Sequence, residues 1–194
     1  MRYFINFSQD VLSVKRLVSL GPTGTSSEYA SRYLADNTDE LNIDYPLEIA
    51  LFDTYELARR ELYSCNECGL LVANAYRGIN KFYMDSKIHP SIVFFCETPE
   101  YGIAVNTELK LNAIESIASH PAPIDLINDL FVEDFPAENI IYADSTSHAA
   151  TLVAKGAVDA ALTTKPSAIK HNLSFISSTR TIPMVWTLFT NTFA

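Results

Sequence analysis

The sequence is short of glycine, cysteine and tryptophan, with 6, 3 and 1 in 194 residues. So little glycine excludes collagen-like repeats and flexible low-complexity linkers. A small, odd cysteine count excludes a disulfide framework. Positive charge is scarce as well: 14 Lys and Arg against 23 Asp and Glu leave a net charge of -9. That argues against nucleic acid or an anionic membrane surface as partner. It also means that an anionic ligand must be held by local donors, because the overall field repels it. No apolar run approaches the roughly 20 residues of a membrane span. The start, Met1 to Asp10, reads as too polar for a signal peptide, so the expected location is the cytoplasm. Internal repeats are absent.

What is present points to a packed globular protein. The chain is 48% hydrophobic and 19% charged, and long enough for one large domain or two small lobes. Cys65-Asn66-Glu67-Cys68 has metal-like or redox-like spacing. A zinc site would need a second ligand pair, and none lies nearby in sequence. Two reduced thiols near a helix end are expected, and no metal.

Residues 1–15 read as an irregular lead-in. The apolar run Arg16 to Leu20 then enters the turn Gly21-Pro22-Thr23-Gly24-Thr25-Ser26, and a helical pattern leaves it from Ser27 to Leu34. Leu47 to Phe52 reads as a strand, with Asp53 as N-cap of a helix from Tyr55 to Leu62 and Glu56 in capping-box position. Gly69 to Ala73 has the apolar look of a buried parallel strand. The run Ser91 to Cys96 continues past Thr98-Pro99 into Tyr101 to Val105, an extended segment suited to a crossover between lobes. Further units follow: Ile114 to Ala118, a helix Ile124 to Phe131, a strand Asn139 to Ala143, a helix His148 to Lys155 stopped at Gly156, a strand Asp159 to Thr164, and a helix begun by Pro166. Leu173 to Ile176 and Pro183 to Phe189 are the last strands. Alternating strands and helices of these lengths imply an α/β fold.

Three turns are rich in hydroxyls and helix starts: 21–27, 119–123 and 144–148. A helix start offers free N–H donors and a positive dipole end, which together hold anions. In open α/β sheets ligands sit beyond the carboxyl ends of the strands, where such turns converge.

These turns carry a resemblance. Gly21-Pro22-Thr23-Gly24-Thr25-Ser26 is similar to the Gly-Pro-x-Gly-Thr-x-Ser signature of the prephenate dehydratase domain, Ser119-His120-Pro121 to its Ser-His-Pro element, and Ser145-Thr146-Ser147-His148-Ala149-Ala150 to its Ser-Thr-x-x-Ala-Ala helix start. Two departures stand out. Where that family ends on Thr-Arg-Phe, this chain has Thr187-Leu188-Phe189. Its Pro-x-Glu-Asn-Ser element is replaced by Ala73-Asn74-Ala75-Tyr76-Arg77-Gly78. Phe82-Tyr83-Met84, Thr98 to Val105 and Ile182 to Phe189 resemble instead the prephenate decarboxylases of bacilysin and other natural-product pathways, which remove the ring carboxylate without aromatising the ring.

The resemblance implies a two-lobed, periplasmic-binding-protein-like (type II) fold with no regulatory ACT domain. Lobe 1 is expected over 1–98 and 180–194, lobe 2 over 99–179, with prephenate bound between them. It implies catalytic roles at Thr187, His120 and Leu188. Substrate-binding roles fall on Thr23, Gly24, Thr25, Ser26, Asn74, Tyr76, Arg77, Ser119, Ser145, Thr146, Ser147, Thr163 and Trp186. No cofactor or metal is required. Prephenate is the expected partner; a homodimer is compatible with the sequence. Losing the arginine at Leu188 removes a cation and donor from the ring-hydroxyl side, which fits retention of that hydroxyl. Two alternatives stay open at this point. One is a true dehydratase giving phenylpyruvate, against which Leu188 speaks. The other is a carboxylate-binding two-lobed domain without catalysis.

Overall fold

The computed structural model describes residues 4–7, 13–41, 43, 46–106, 114–130 and 139–191. The chain divides into two compact units. The first comprises Met1–Pro22, Ser26–Thr98 and Pro183–Ala194; the second comprises Thr23–Thr25 and Pro99–Ile182. The three-residue turn 23–25 therefore packs with the second unit although its flanks belong to the first.

The first unit is a six-stranded mixed sheet in the order β1 (Phe4–Asn6), β5 (Ile88–Phe95), β11 (Val185–Asn191), β4 (Cys68–Ala73), β2 (Arg16–Leu20), β3 (Glu48–Phe52). β2 runs parallel to β3 and β4, while β11 runs antiparallel to both β4 and β5. Helix α1 (Ser26–Ala35) packs the small residues Ser27, Ala30 and Ser31, with Leu34, inward. That face joins Leu17, Leu71, Ile92, Trp186 and Leu188 in one core. Helix α2 (Tyr55–Ser64) buries Tyr55, Ala58 and Leu62, the i, i+3, i+7 stripe of an amphipathic helix. It covers the other sheet face, against Val18, Leu70, Val72 and Phe189. The short helix α3 (Asn80–Tyr83) adds Phe82 to this second core.

The second unit is a five-stranded sheet in the order β10 (Ser174–Phe175), β6 (Tyr101–Val105), β9 (Ala160–Thr164), β7 (Ile117–Ser119), β8 (Ile140–Tyr142). β6 and β9 are buried along their whole length, as strands covered on both faces must be. Helices α4 (Leu126–Leu130), α5 (Thr146–Ala154) and α6 (Lys165–Lys170) belong to this unit. The α5 side is lined by alanines, including Ala118, Ala149, Ala150 and Ala161, which let helix and sheet approach closely.

Three local expectations are corrected. The lead-in contains β1, whose three residues pair with Ile92 to Phe94 of β5. The cap of α2 is Thr54, whose Oγ1 accepts from Leu57 N at 3.1 Å, rather than Asp53. Cys65 and Cys68 are joined in a disulfide instead of standing as two thiols. The turn leaving α2, in which Cys68 N donates to Cys65 O at 3.3 Å, brings their Cα atoms to 5.4 Å, well inside bridging range. Phe131, the expected end of the fourth helix, lies outside the described residues.

Candidate functional site

The second unit holds the larger group of predicted residues. Thr23, Gly24 and Thr25 form a turn pinned from three sides. Ser147 Oγ donates to Thr23 O at 3.0 Å, Thr164 Oγ1 to Gly24 O at 2.7 Å, and Ser167 Oγ to Gly24 O at 3.0 Å. Gly24 has φ +95, and a Cβ there would meet Ser167 Oγ at 2.6 Å, so no other residue fits without a shift. Thr164 and Ser167 were not singled out from the sequence. Their role depends on where 23–25 docks, which no local pattern announces.

The head of α5 lies beside this turn through Ser147. Ser145 is its N-cap: its backbone is extended, and its Oγ accepts from His148 N at 2.9 Å. The N–H groups of Thr146 and Ser147, ahead of His148, have no acceptor within the helix and remain available to an anion. Thr163, fully buried at the end of β9, donates to Thr146 O at 2.8 Å and so steadies the helix start rather than exposing its hydroxyl. Ser119 ends β7 and donates to the backbone oxygen of His120 at 2.9 Å. His120 is half-buried, and its Nδ1 accepts from Ala122 N at 3.2 Å. That bond places the proton of the neutral ring on Nε2. Burial pulls the His120 pKa below its ordinary value, with Asp144 opposing the shift, so the neutral form dominates at pH 7.

The first unit carries the rest. Asn74 N donates to Val185 O at 2.9 Å, extending the ladder in which Ala73 faces Trp186 and Val72 faces Thr187. Asn74 therefore shares a sheet face with Val72 and reaches Thr187 diagonally. Thr187 Oγ1 donates to Asn74 Oδ1 at 2.7 Å, and Tyr83 Oη lies 3.0 Å from the same Thr187 oxygen. Tyr55 supports this corner from below. Its hydroxyl receives Ala73 N at 3.3 Å and pairs with Ser27 Oγ at 2.9 Å. Tyr76 packs tilted against Tyr55, ring centres 4.8 Å apart, and donates to Glu56 Oε1 at 3.0 Å. Burial, with the Glu56 carboxylate beside it, pushes the Tyr76 phenol up to about 12. It is therefore a neutral donor throughout the physiological range.

The predicted set is thus brought together only in part. Asn74 and Thr187 meet. Arg77 is exposed and Ser26 half-buried at the start of α1. Trp186 is a core residue, its Nε1 donating to Cys96 O at 3.2 Å. Leu188, alternating with Thr187 along β11, faces the opposite side of the sheet, fully buried with Leu17, Leu71 and Ile92. Among the described residues no group of His, Cys, Asp and Glu is arranged to hold a metal ion, and no helix is long and apolar enough to cross a membrane.

Comparison with known proteins follows the same lines. No family model matches the chain. A prephenate decarboxylase of Bacillus subtilis (strain 168) is 36% identical over 185 residues, covering 91% of this chain and 88% of that relative. One from Planktothrix agardhii (strain NIVA-CYA 126/8) is 32% identical over 196 residues, covering 97% and 95%. Among solved structures, the prephenate dehydratase of Arthrobacter aurescens in complex with L-Phe superposes with a TM-score of 0.70 at 13% identity. The likeness covers 91% of this chain but only 60% of that one, and it establishes the fold.

Proposed function

The chain belongs to the prephenate decarboxylase family, and on that premise we propose that it catalyses the non-aromatising decarboxylation of prephenate to a dihydro-4-hydroxyphenylpyruvate. The observation that carries the reading is the likeness to those decarboxylases along nearly the whole chain.

Prephenate bears a ring carboxylate, a pyruvyl side chain with its own carboxylate, and a ring hydroxyl. When the bond to the ring carboxylate breaks, carbon dioxide leaves and its electron pair enters the ring diene. Expelling the hydroxyl then makes the ring aromatic. Delivering a proton to ring carbon keeps the hydroxyl and leaves a cyclohexadiene. The enzyme must hold two anionic groups, withhold a proton from the hydroxyl, and let a proton reach carbon.

We assign the carboxylates to the second unit's donors: the 23–25 turn, the head of α5 at Ser145, Thr146 and Ser147, and the Nε2–H of neutral His120. On a protein of charge -9 these local N–H and O–H groups oppose the overall repulsion. Ser119 and Thr163 position that set. We assign the ring hydroxyl to the hydrogen-bonded group built on Asn74 and Thr187, within which Thr187 itself is fully buried. Leu188, buried on the opposite face of the sheet from Thr187, is not assigned to the ring hydroxyl. We assign the reaction to a natural-product pathway of the bacilysin type. Its compartment, on this reading, is the cytoplasm.

Incubation with prephenate and a no-protein control tests the reading by ultraviolet spectrum. A non-aromatic dihydro product is expected. Phenylpyruvate would mean a dehydratase, and unchanged substrate a binding domain.

A further inference from the structure

The hydrogen bonds around Thr187 have a direction. A threonine hydroxyl carries one hydrogen, and an asparagine Oδ1 only accepts. With Thr187 Oγ1 2.7 Å from Asn74 Oδ1, that hydrogen goes to the asparagine. Thr187 then offers Tyr83, 3.0 Å away, nothing but lone pairs, so the phenol must be the donor of that second bond. The order is Tyr83 to Thr187 to Asn74, with every proton directed inward. Thr187 is fully buried, whereas Tyr83 is 40% exposed. Asn74, at the other end, is half-buried, so Tyr83 is the more open end of the chain to a ligand, and it presents acceptor lone pairs. Its ring is held edge-on against Phe189 at 5.1 Å and its hydroxyl by Thr187, so the phenol is fixed in place from two sides.

We propose that Tyr83 accepts a hydrogen bond from the ring hydroxyl of the substrate and, its own proton being tied to Thr187, holds that hydroxyl without protonating it. This rests on the decarboxylase reading above. A carbon-bound hydroxyl departs readily only when a proton reaches its oxygen. An acceptor does the reverse: it draws on the hydroxyl hydrogen, leaves the oxygen electron-rich and makes it a poorer leaving group. Tyr83 forms and breaks no covalent bond in this role. It is a specificity residue that decides between a retained hydroxyl and an aromatised ring. Asn74 sets the direction of the chain. Without its oxygen, the Thr187 hydrogen can turn toward Tyr83, and the phenol can then turn its own hydrogen outward.

Calorimetry with 4-hydroxyphenylpyruvate and phenylpyruvate, which differ only by the ring hydroxyl, tests the assignment without turnover. The parent protein should bind the hydroxylated ligand about fivefold more tightly, the worth of one hydrogen bond. Tyr83→Phe should bind the two equally, and Thr187→Ser, which keeps the chain, should retain the preference. Equal binding by the parent, no binding of either ligand, or a preference surviving in Tyr83→Phe overturns the proposal. With prephenate, Tyr83→Phe and Asn74→Ala should each raise the phenylpyruvate share several-fold over the parent; an unchanged share in both also overturns it. A parent that leaves prephenate intact yet shows the ligand preference lost in Tyr83→Phe would sink the decarboxylase reading and leave the hydroxyl contact standing.

Discussion

Cys96 is 5% exposed at the end of β5, and burial, helped by Glu97, pushes its thiol up to about 11. The thiolate is the reactive form. Iodoacetamide at neutral pH should therefore leave Cys96 unmodified in the folded protein and label it on unfolding, as intact mass would show. The sign of the linked stability follows. In the unfolded chain this thiol ionises at its ordinary value of 9.0, so above that pH the unfolded state holds fewer protons. The Cys96 contribution is full below about 9 and is lost as pH rises toward 11. Leu188 offers a second test. It has no exposure, and its Cδ1 would lie 2.8 Å from a Cβ built on Gly69. Leu188→Arg forces an unpaired guanidinium into this closed core. It should cost several kcal/mol and lower Tm by many degrees in a thermal melt. A melt unchanged from the parent would mean that the side chain escapes to solvent.

The head of α5 and the turn docked on it are the element on which substrate binding should depend. Ser145→Ala removes the cap bond to His148 N and should cost about 1 kcal/mol in urea unfolding. Gly24→Ala meets both a positive φ and Ser167 Oγ, so it should lose stability and weaken prephenate binding together. Ordinary binding with ordinary stability would detach the 23–25 turn from the site. Elements of this kind were legible in advance: Ser145, the cap, and Pro166, near the start of α6, mark helix starts by local chemistry alone. β1 was not, because its Phe-Ile-Asn is a strand only through pairing with Ile92 to Phe94, far along the chain. Asp53 and Thr54 are both good caps, and only backbone geometry separates them. In the candidate site, Asn74 and Thr187 could be named from a divergent turn and a kept threonine. Thr164, Ser167 and Tyr55 could not, since each acts by hydrogen bonds to residues that only the tertiary fold brings near.

At the scale of the whole molecule, α/β layering and the prephenate dehydratase-like fold followed from alternating elements and motif order, and the structural comparison agrees. Two histidines, with the lowered carboxyls of Glu56, Asp85 and Glu100, give this molecule its acid limb. His120, by burial against the opposing Asp144, and His171, by burial and Lys170, are both held below their ordinary 6.5. In the window beneath 6.5 the unfolded state takes up protons that the folded state refuses. The histidine contribution should be flat above that pH and fall as pH drops through it, in urea titrations at stepped pH. A midpoint that rises on acidification would contradict both shifts. The central claim is loss of the ring carboxylate with the ring hydroxyl kept. Proton NMR of the reaction with prephenate, read alongside released carbon dioxide, measures both at once. The account predicts carbon dioxide in step with prephenate consumed, ring olefinic signals, and a retained carbinol proton. Aromatic signals of phenylpyruvate in the same proportion, beyond those of a control without protein, would contradict it.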